Sequence, residues 1–319
     1  IPSQPNAIPY VTSYYKKNWG FCISHNQKRK LKKTGKYKVH IKSRHFNGQL
    51  NYGEAYIEGK SKKEILISTY ICHPSMANNE VSGPVVCTYL LNYIKKKKRK
   101  FSYRFIFIPE TIGSISYLAL NYKKLKKNVI AGFNISCIGD EKNFSYLPSR
   151  SGNTISDIIS KKVLKKKYNK FKSYSWYDRG SDERQFCSPG IDLPIATIMK
   201  TKYGEYKQYH TSLDKLGTVV TEKGLYDGYN LIKNILNELE SKKYPIDIIK
   251  FPLSKYKCEP FMTKRKLYPT ISKKDNVEYL KIFMDILTYA DDKHSLLDIA
   301  EKCSISYKDI IKAAVKLKN

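Results

Sequence analysis

Short apolar runs alternate with amphipathic segments of helical length through the middle of the chain. The runs Glu64–Cys72, Tyr103–Ile108 and Val129–Ile138 are rich in β-branched and aromatic residues and predict buried strands. Between them, apolar residues recur every three or four positions, which predicts helices with one buried face. This alternation predicts an α/β fold, a three-layer sandwich whose mainly parallel sheet is covered by helices.

Three of the predicted strands lead to side chains that commonly bind metal ions. His73 follows the first apolar run, Glu110 follows the second, and the run Ile191–Met199 leads through a short loop to His210. Because the carboxyl ends of parallel strands line the ligand crevice of an open α/β sheet, we expect these side chains to lie together. Two imidazoles and a carboxylate in such a crevice predict a metal-dependent hydrolase.

Each of these residues also has an ordinary structural interpretation. A histidine after a strand is more often a hydrogen-bonded structural residue than a metal ligand. Glu110 directly precedes a predicted helix, so its carboxylate is also placed to accept hydrogen bonds from the amides of Thr111 to Ser114. The metal-site hypothesis therefore depends on the three side chains converging.

The first part of the chain divides into two segments of different character. Residues 1–60 contain alternating patterns over 37–42 and 50–58 on either side of an Asn47-Gly48 turn, which predict a small accessory region of antiparallel strands. Residues 61–243 contain the strand and helix alternation and form the predicted exopeptidase-like α/β core.

The last part of the chain begins with a proline- and lysine-rich linker over residues 244–275. Residues 276–319 predict short amphipathic helices with a tight connection, a pattern similar to winged helix-turn-helix modules. DNA contact through the helix Tyr307–Lys318 is one interpretation, and a packing or oligomerisation module is the favoured one. The chain begins at Ile1 rather than Met and stops inside a helical pattern, so we expect both ends to be truncated.

The chain is strongly basic. It has 59 lysine and arginine residues against 28 acidic ones, a formal net charge of +31, which alone would suggest nucleic acid as a partner. Lysine greatly outnumbers arginine, and tyrosine, asparagine and isoleucine are also abundant. Codon bias in an AT-rich genome explains this composition better, so nucleic acid is not the favoured partner.

The seven cysteines include no closely spaced pair, which argues against a disulfide framework. Cys72, Cys87 and Cys137 lie in apolar surroundings and are predicted to be core residues. No apolar run is long enough to cross a membrane and no signal peptide is evident, so we expect a cytoplasmic protein without a membrane partner.

Four segments together resemble zinc-dependent aminopeptidases of the co-catalytic exopeptidase group. Cys72–Gly83 resembles their metal-binding loop, and Pro109–Ser114 resembles their general-base turn. Gly180–Phe186 resembles their late Ser-Asp motif, and Tyr209–Asp214 resembles the segment with their terminal histidine ligand. The closest resemblance is to a bacterial subgroup that carries a C-terminal winged helix and is associated with polysaccharide biosynthesis. It extends over nearly the whole chain.

The resemblance implies roles for individual residues. His73 and His210 fall on metal-ligand positions, and Glu110 falls on the general base. Asn79 falls where these enzymes place an aspartate that bridges two zinc ions, while Thr111 and Ser136 replace two further carboxylates. Because bridging carboxylates are what make two neighbouring dications tolerable, one zinc ion is a better prediction than two.

The third protein ligand to a single zinc ion is open at the level of sequence. Asp182 is the candidate, with Asp178 and Glu183 as rivals, although the Ser-Asp motif more often supports the site without binding metal. Arg179, Glu183 and Tyr209 are predicted to contact substrate, since they flank the late motif and the loop before His210.

These observations predict a zinc-dependent aminopeptidase-like hydrolase that cleaves an amide in a small-molecule or peptide-like substrate with an amino group. Two alternatives remain. The lost carboxylates are also compatible with a retired catalyst whose pocket binds a ligand or partner. The helix-turn-helix is compatible with a DNA-binding regulator that senses a metabolite in the α/β domain.

Overall fold

The computed structural model divides into two compact units, Ile1–Glu238 and Leu239–Asn319. The residues that the structure describes are 1–11, 18–73, 75–168, 170–241, 277–290 and 294–318. The predicted linker over 244–275 lies outside these residues.

A mixed sheet, seven-stranded within the described residues, forms the centre of the first unit. In chain order its strands are β1 (Gly53–Ile57), β2 (Ser61–Tyr70), β3 (Phe101–Ile108), β4 (Val129–Ile135), β5 (Phe144–Leu147), β6 (Phe171–Ser173) and β7 (Ile195–Met199). Across the sheet the order is β1-β3-β2-β4-β7-β5-β6. The strands β3, β2, β4 and β7 run parallel. Strand β1 runs antiparallel to β3, and the parallel pair β5 and β6 runs antiparallel to β7.

Helices cover this sheet, which confirms the predicted fold class. Up to residue 241 they are α1 (His25–Lys30), α2 (Ser82–Lys95), α3 (Ile112–Asn128), α4 (Ile155–Lys167), α5 (Glu183–Phe186) and α6 (Glu222–Glu240). A π-helical turn, Ala77–Val81, precedes α2, and a 3-10 turn, Trp176–Asp178, precedes α5. In the parts of the chain that the structure describes, no helix combines the length and the apolar character needed to cross a membrane.

Burial explains the sequences of β2 and α2. The last seven residues of β2 are buried between β3 and β4, so its apolar residues are continuous instead of alternating. One face of α2 is buried at helical spacing, through Val86, Cys87, Leu90 and Ile94. A Cβ at Gly83 would lie 2.6 Å from the carbonyl oxygen of Ile135, so only glycine lets the start of α2 pack this closely against the end of β4.

The connectivity places a crevice at the carboxyl ends of β2 and β4. From β2 the chain passes through α2 to β3 on one side, and from β4 it passes to β5 and β7 on the other side. Ligands of open α/β sheets bind where neighbouring strands diverge in this way. The residues that follow β2, β3 and β4 therefore lie at one edge of the sheet.

The predicted accessory strands are only partly present. β1 is the second of them and pairs with β3, but residues 37–42 form no strand. Their side chains are exposed, and no strand among the described residues pairs with them, so the alternating pattern does not cover an apolar layer there. The short strands β5 and β6 were not predicted, because four and three residues give too short a pattern.

The second unit contains three helices in its described part, α7 (Val277–Thr288), α8 (Leu296–Cys303) and α9 (Tyr307–Lys318). Its core is built from fully buried residues of all three helices, Ile286, Leu296, Ile299, Ile310 and Ala313. Ser295 and Asp298 exchange hydrogen bonds of 2.8 and 3.1 Å that cap α8, and Ser304 ends it with a φ of 54°. These helices lie where the helix-turn-helix pattern predicted them.

A buried ionic network ties β1, β2, β3 and α3 together. The guanidinium of Arg104, 2% exposed, donates to both carboxylate oxygens of Glu64 at 2.7 and 3.1 Å and also pairs with Glu54. The hydroxyl of Tyr117 on α3 donates to Glu54 at 2.7 Å. Removing one charged side chain would leave another buried without a partner, so the network stabilises the fold only when all of its members are present.

We expect Arg104→Ala to lower the free energy of unfolding by roughly 3–5 kcal/mol, since it leaves the buried Glu64 without its partner. Denaturant titration followed by circular dichroism measures this loss. Arg29→Ala removes an exposed arginine from α1 and serves as the matched control, with little change expected. Equal stabilities for the two variants would contradict the structural role of the network.

Candidate functional site

The predicted metal-binding side chains converge at the crevice. The imidazole rings of His73 and His210, which lie 137 positions apart in the sequence, have centroids 4.9 Å apart. Glu110 lies beside them: the ligand atoms of Cys72, His73 and Glu110 are all within 4.8 Å of one another. The loops after β2, β3 and β7 therefore meet in one small region, as parallel strand ends predict.

Glu80, which sequence reasoning missed, orients His73. Its carboxylate is 4% exposed, contacts Nδ1 of His73 directly and accepts a 2.8 Å hydrogen bond from the amide of Cys72. Burial lowers the pKa of His73, but the hydrogen bond and charge of Glu80 outweigh burial, so the pKa is raised. A carboxylate on Nδ1 fixes the proton there and leaves Nε2 as the free lone pair. The sequence feature that could have identified Glu80 is its place seven positions after His73, within the same segment.

Cys72 is exposed, which corrects its prediction as a core residue. The apolar strand ends at Tyr70, so the residues that follow turn out of the sheet into the crevice. Its Sγ lies 3.0 Å from Nδ1 of His73. Partial desolvation raises the pKa of the Cys72 thiol, and the negative charge of Glu80 raises it further.

His210 is held by the N-terminal segment. Its carbonyl oxygen accepts a 2.8 Å hydrogen bond from the amide of Tyr10, and the amide of Ser212 donates to the carbonyl of Ile8 at 2.9 Å. The Tyr10 ring lies 4.8 Å from that of His73 and 5.5 Å from that of His210. Tyr209, a predicted substrate contact, stacks on His210 with a centroid distance of 3.9 Å. No pattern in the sequence around Tyr10 indicates that its ring lies beside the two histidines.

The imidazole of His210 is available as a ligand. Its Nε2 is buried and has no hydrogen-bond partner within the described residues. Burial lowers the pKa of His210, and the neighbouring His73 lowers it further; both effects disfavour the charged form of the ring. The backbone of His210 has a φ of 53°, a conformation that non-glycine residues seldom adopt and that is concentrated at functional sites.

Glu110 is presented by a strained turn. Thr111 has φ 63° and ψ −70°, and the amide of Ile112 donates to the carbonyl of Glu110 at 2.7 Å, which together form a γ-turn of the rare, strained type. The hydroxyl of Ser181 donates to Oε1 of Glu110 at 2.6 Å. Burial raises the pKa of Glu110, although the Ser181 hydroxyl and His73 oppose the rise.

The sequence also allowed Glu110 to accept hydrogen bonds at the start of α3, but it is Asp182 that accepts them there. Its Oδ1 accepts hydrogen bonds from the Thr111 amide at 2.7 Å and the Ser114 hydroxyl at 2.8 Å. Its Oδ2 is buried and has no partner among the residues described. Burial raises the pKa of Asp182 to about 7, against these hydrogen bonds. Asp182 thus stabilises the turn that carries Glu110.

Three other charged residues in and beside the late motif, Glu183, Asp178 and Arg179, have partners away from the two histidines. Glu183 is fully buried, and its carboxylate accepts five hydrogen bonds, from Gly180, Ser181, Asn134, Thr197 and Tyr203. This burial corrects the prediction that Glu183 contacts substrate. The carboxylate of Asp178 accepts hydrogen bonds from the amide and the hydroxyl of Ser175, three positions earlier. Arg179 is exposed, and its guanidinium lies 5.1 Å from the Trp176 ring centroid.

Asn79 points its side chain into the buried floor of the site. Its Nδ2 donates to the hydroxyl of Tyr70 at 2.8 Å, while its Oδ1 is buried without a hydrogen-bond partner in the described parts of the chain. The resemblance implies an aspartate carboxylate at this position in the aminopeptidases, whereas Asn79 offers one neutral oxygen.

Asp214 anchors the loop that carries these residues. Its fully buried carboxylate accepts the amides of Asn78 at 2.8 Å and Asn79 at 3.0 Å, and the hydroxyl of Tyr206 at 2.9 Å. Because Asp214 lies four residues after His210, the same carboxylate connects the two histidine loops.

We expect Asp214→Asn to lower the free energy of unfolding by about 2–3 kcal/mol, because an amide cannot accept all three of these buried hydrogen bonds. Asp192→Asn is the matched control: Asp192 is an exposed partner of Arg150, so its loss costs less than about 1 kcal/mol. Thermal and denaturant unfolding measure both. A loss no larger than the control's would refute the anchoring role.

Comparisons with known proteins agree with this fold. Residues 7–242 match a family described as a domain of unknown function (DUF4910), and residues 251–319 match a winged helix-turn-helix family. A relative from Clostridium acetobutylicum is 39% identical over 315 residues, which are 98% of this chain and 70% of that protein. Its name assigns it provisionally to polysaccharide biosynthesis and gives it an aminopeptidase-like domain.

Solved structures give the same result. A crystal structure from Clostridium acetobutylicum, provisionally named a peptidase, has 37% identity and a TM-score of 0.74 over 100% of this chain and 70% of its own. A zinc aminopeptidase from Bacillus subtilis has 20% identity and a TM-score of 0.50 over 60% of this chain and 50% of its own, which shows the fold alone. The first unit is therefore an aminopeptidase-like domain, as the four motifs predicted. The chain belongs to the family described as DUF4910, and it carries a C-terminal winged helix-turn-helix.

Proposed function

We propose that this protein is a metal-dependent aminopeptidase-like hydrolase that cleaves an amide bond in a small substrate with an amino group. The observation that carries the proposal is the convergence of His73 and His210, with ring centroids 4.9 Å apart, beside the carboxylate of Glu110. Two nitrogen donors and a neighbouring base are the parts that metal-assisted hydrolysis requires.

Unpartnered polar atoms support a cation at this site. Buried polar atoms nearly always have a hydrogen-bond partner, yet Nε2 of His210, Oδ1 of Asn79 and Oδ2 of Asp182 have none among the described residues. Imidazole nitrogen and carboxylate oxygen are donors that zinc accepts. We therefore assign His73 and His210 as ligands, with Asp182 as the candidate anionic ligand and Asn79 as a neutral oxygen at the floor.

One ion fits the charge of the site better than two. At Asn79, Thr111 and Ser136 this chain has neutral side chains where the resemblance implies carboxylates. Two dications need bridging anions to offset their mutual repulsion, which grows steeply inside a protein. Glu80 is already engaged by His73 and the Cys72 amide, so it does not replace the missing bridge.

A zinc ion bound here would lower the pKa of a bound water to near neutrality. Glu110 is placed to take the proton from the attacking water and to pass it to the leaving amine. Burial raises the pKa of Glu110, and a carboxyl group whose pKa lies closer to the working pH is better able both to accept and to donate a proton. Ser181 holds Oε1 of Glu110, which fixes the direction of the carboxylate.

The surroundings of the site favour a substrate with a free amino group. The carboxylates of Glu80 and Glu110 make the crevice negative, and the rings of Tyr10 and Tyr209 lie against the two imidazoles. An ammonium group is attracted both to carboxylates and to aromatic faces. The name of the Clostridium acetobutylicum relative supports polysaccharide biosynthesis as the setting, and Arg179 stays a candidate for contact with the rest of the substrate.

Metal analysis combined with hydrolysis assays tests this function. We expect the purified protein to hold about one zinc per chain and to hydrolyse members of a panel of aminoacyl anilides and amino-sugar amides. His73→Ala and His210→Ala should lose the zinc. Glu110→Gln should keep the zinc while its rate falls by about 10²–10⁴-fold, because only the base is removed.

His45→Ala, which removes an exposed histidine far from the described site in sequence, is the matched control and should keep both zinc and activity. Equal zinc in the control and in the two ligand variants would remove the basis of the site. A folded protein that binds no metal would favour the alternative of a retired catalyst that binds a ligand, which the neutral residues at positions 79, 111 and 136 also suggest.

A second candidate function, nucleic-acid binding, is favoured by one observation in the second unit. Lys308, Lys312 and Lys316 are exposed and recur every four residues along α9, so they form one basic face of the helix that follows the turn. Phosphate contacts by such a face give affinity that decreases as salt increases.

Gel-shift titration at several salt concentrations tests this candidate with Lys308→Glu/Lys312→Glu. We expect weaker DNA binding and a salt slope smaller by about two. The control, Lys62→Glu/Lys63→Glu at the start of β2, changes the same net charge in the first unit and should leave the slope unchanged. Equal loss in both variants would indicate non-specific attraction by the basic chain and would reject α9 as a binding helix.

A further inference from the structure

A cavity of about 320 Å³ lies among three loops of the first unit. Its walls come from the loops after β4 and β7 and from the loop before α6. Among the described residues that line it there is none of His73, Glu110, Asp182 and His210. Sites that hold small molecules have volumes of about 300–1,000 Å³, so this cavity is large enough for a small ligand.

Polar groups line most of this cavity. Of the nine described residues in its wall, only Val219 is aliphatic, and Tyr206 supplies the one aromatic ring. The others carry hydroxyl, amide, carboxylate or ammonium groups. An apolar ligand would take these groups out of water without giving them hydrogen bonds, so a polar ligand fits this wall better.

We propose that this cavity binds a neutral saccharide. Each sugar hydroxyl can both donate and accept a hydrogen bond, and the wall offers groups of both kinds. The Lys142 ammonium donates, the Glu141 carboxylate accepts, and the Gln208 amide and the Thr218 hydroxyl do both. The inference goes beyond the function proposed above, because it requires neither a metal ion nor hydrolysis.

Three of these side chains are available to a ligand. The polar ends of Lys142, Gln208 and Thr218 have no hydrogen-bond partner within the part of the chain that the structure describes, and all three residues are at least partly exposed. Sugar hydroxyls can therefore replace water at these groups without breaking a bond inside the protein.

The charges around the cavity favour a neutral ligand. The two acids of the wall, Asp140 and Glu141, are offset by Lys142 of the wall and by Lys223, which pairs with Glu141 at 3.3 Å. A phosphate or an ammonium group would therefore find little net charge to attract it. Hydrogen-bonding groups, by contrast, are numerous.

Hydrogen bonds hold the wall in place before any ligand binds. The buried carboxylate of Asp140 accepts the amides of Lys142 at 2.8 Å and Thr201 at 3.0 Å. The hydroxyl of Thr221 donates to Glu141 at 2.8 Å. A ligand that enters a wall already ordered in this way loses less affinity to the ordering of loops.

Two further hydrogen bonds connect the cavity to the loops of the histidine site. The hydroxyl of Tyr206 donates to Asp214 at 2.9 Å, and Nδ2 of Asn78 donates to Asp140 at 3.1 Å. A sugar in the cavity therefore lies against Tyr206 and Asp140, two side chains that also hold these loops.

Calorimetric titration of the purified chain, with and without added zinc, tests the proposal. The neutral probes are glucose, N-acetylglucosamine and cellobiose, and the charged probes are glucosamine and glucose 1-phosphate. We expect at least one neutral probe to bind equally well in both conditions. Gln208→Leu/Thr218→Val should weaken that binding by about tenfold or more, because two hydrogen bonds are lost.

Gln49→Leu/Thr88→Val is the matched control, since it makes the same two changes at exposed positions outside the cavity wall, and it should keep the affinity. Circular dichroism checks that the variants fold. If Gln208→Leu/Thr218→Val does not fold, Thr218→Val alone, at an exposed position, should give a smaller loss in the same direction.

Four results would overturn the proposal. The first is no binding of any neutral probe by the folded protein, and the second is an equal loss of affinity in the control. The third is binding that requires zinc, which would place the sugar at the histidine site. The fourth is a charged probe that binds more than about tenfold more tightly than glucose, which would show recognition of charge. A chain that binds sugar but no zinc would reject the proposed function alone and leave this inference standing.

Discussion

The carboxylate of Asp214 is the contact on which the geometry of the site depends. It accepts the amides of Asn78 and Asn79 on one loop while its own segment carries His210 on another. A charged acceptor is needed there because the loop after β2 starts a π-helical turn, whose first amides have no partners within the turn. The distance between the two imidazoles is therefore fixed by a buried electrostatic contact, before any ligand binds.

The fold and the meeting of His73, Glu110 and His210 could be predicted from the sequence because both follow from strand register. Continuous apolar runs indicate buried parallel strands, and the ends of such strands lie at one edge. The same logic failed for residues 37–42, which alternate in sequence but pair with no strand in the described part of the chain. A hydrophobic pattern indicates which secondary structure a segment favours, whereas strand pairing also depends on which strands lie beside that segment.

The remaining features of the site depend on contacts that sequence patterns do not encode. The γ-turn at Thr111 requires a backbone conformation that threonine disfavours, and it persists because Asp182, 71 residues later, binds it. Glu80 and Cys72 lie in the same run as His73, but the sequence gives no indication that they contact its ring, because that contact depends on how the loop folds back. The motif resemblance drew attention to the two histidines but gave no place to Glu80, whose carboxylate contacts one of them.

The pairing of the N-terminal segment with residues 210–212 makes the first residues of the chain part of the site. Main-chain hydrogen bonds run from Tyr10 to His210 and from Ser212 to Ile8, so the rotation of a side chain cannot detach this segment. Detaching it would break both bonds and would carry the Tyr10 backbone away from the two imidazoles, whose rings lie 4.8 and 5.5 Å from the Tyr10 ring. A truncation at the amino end would therefore disturb a site whose other residues begin more than sixty positions later.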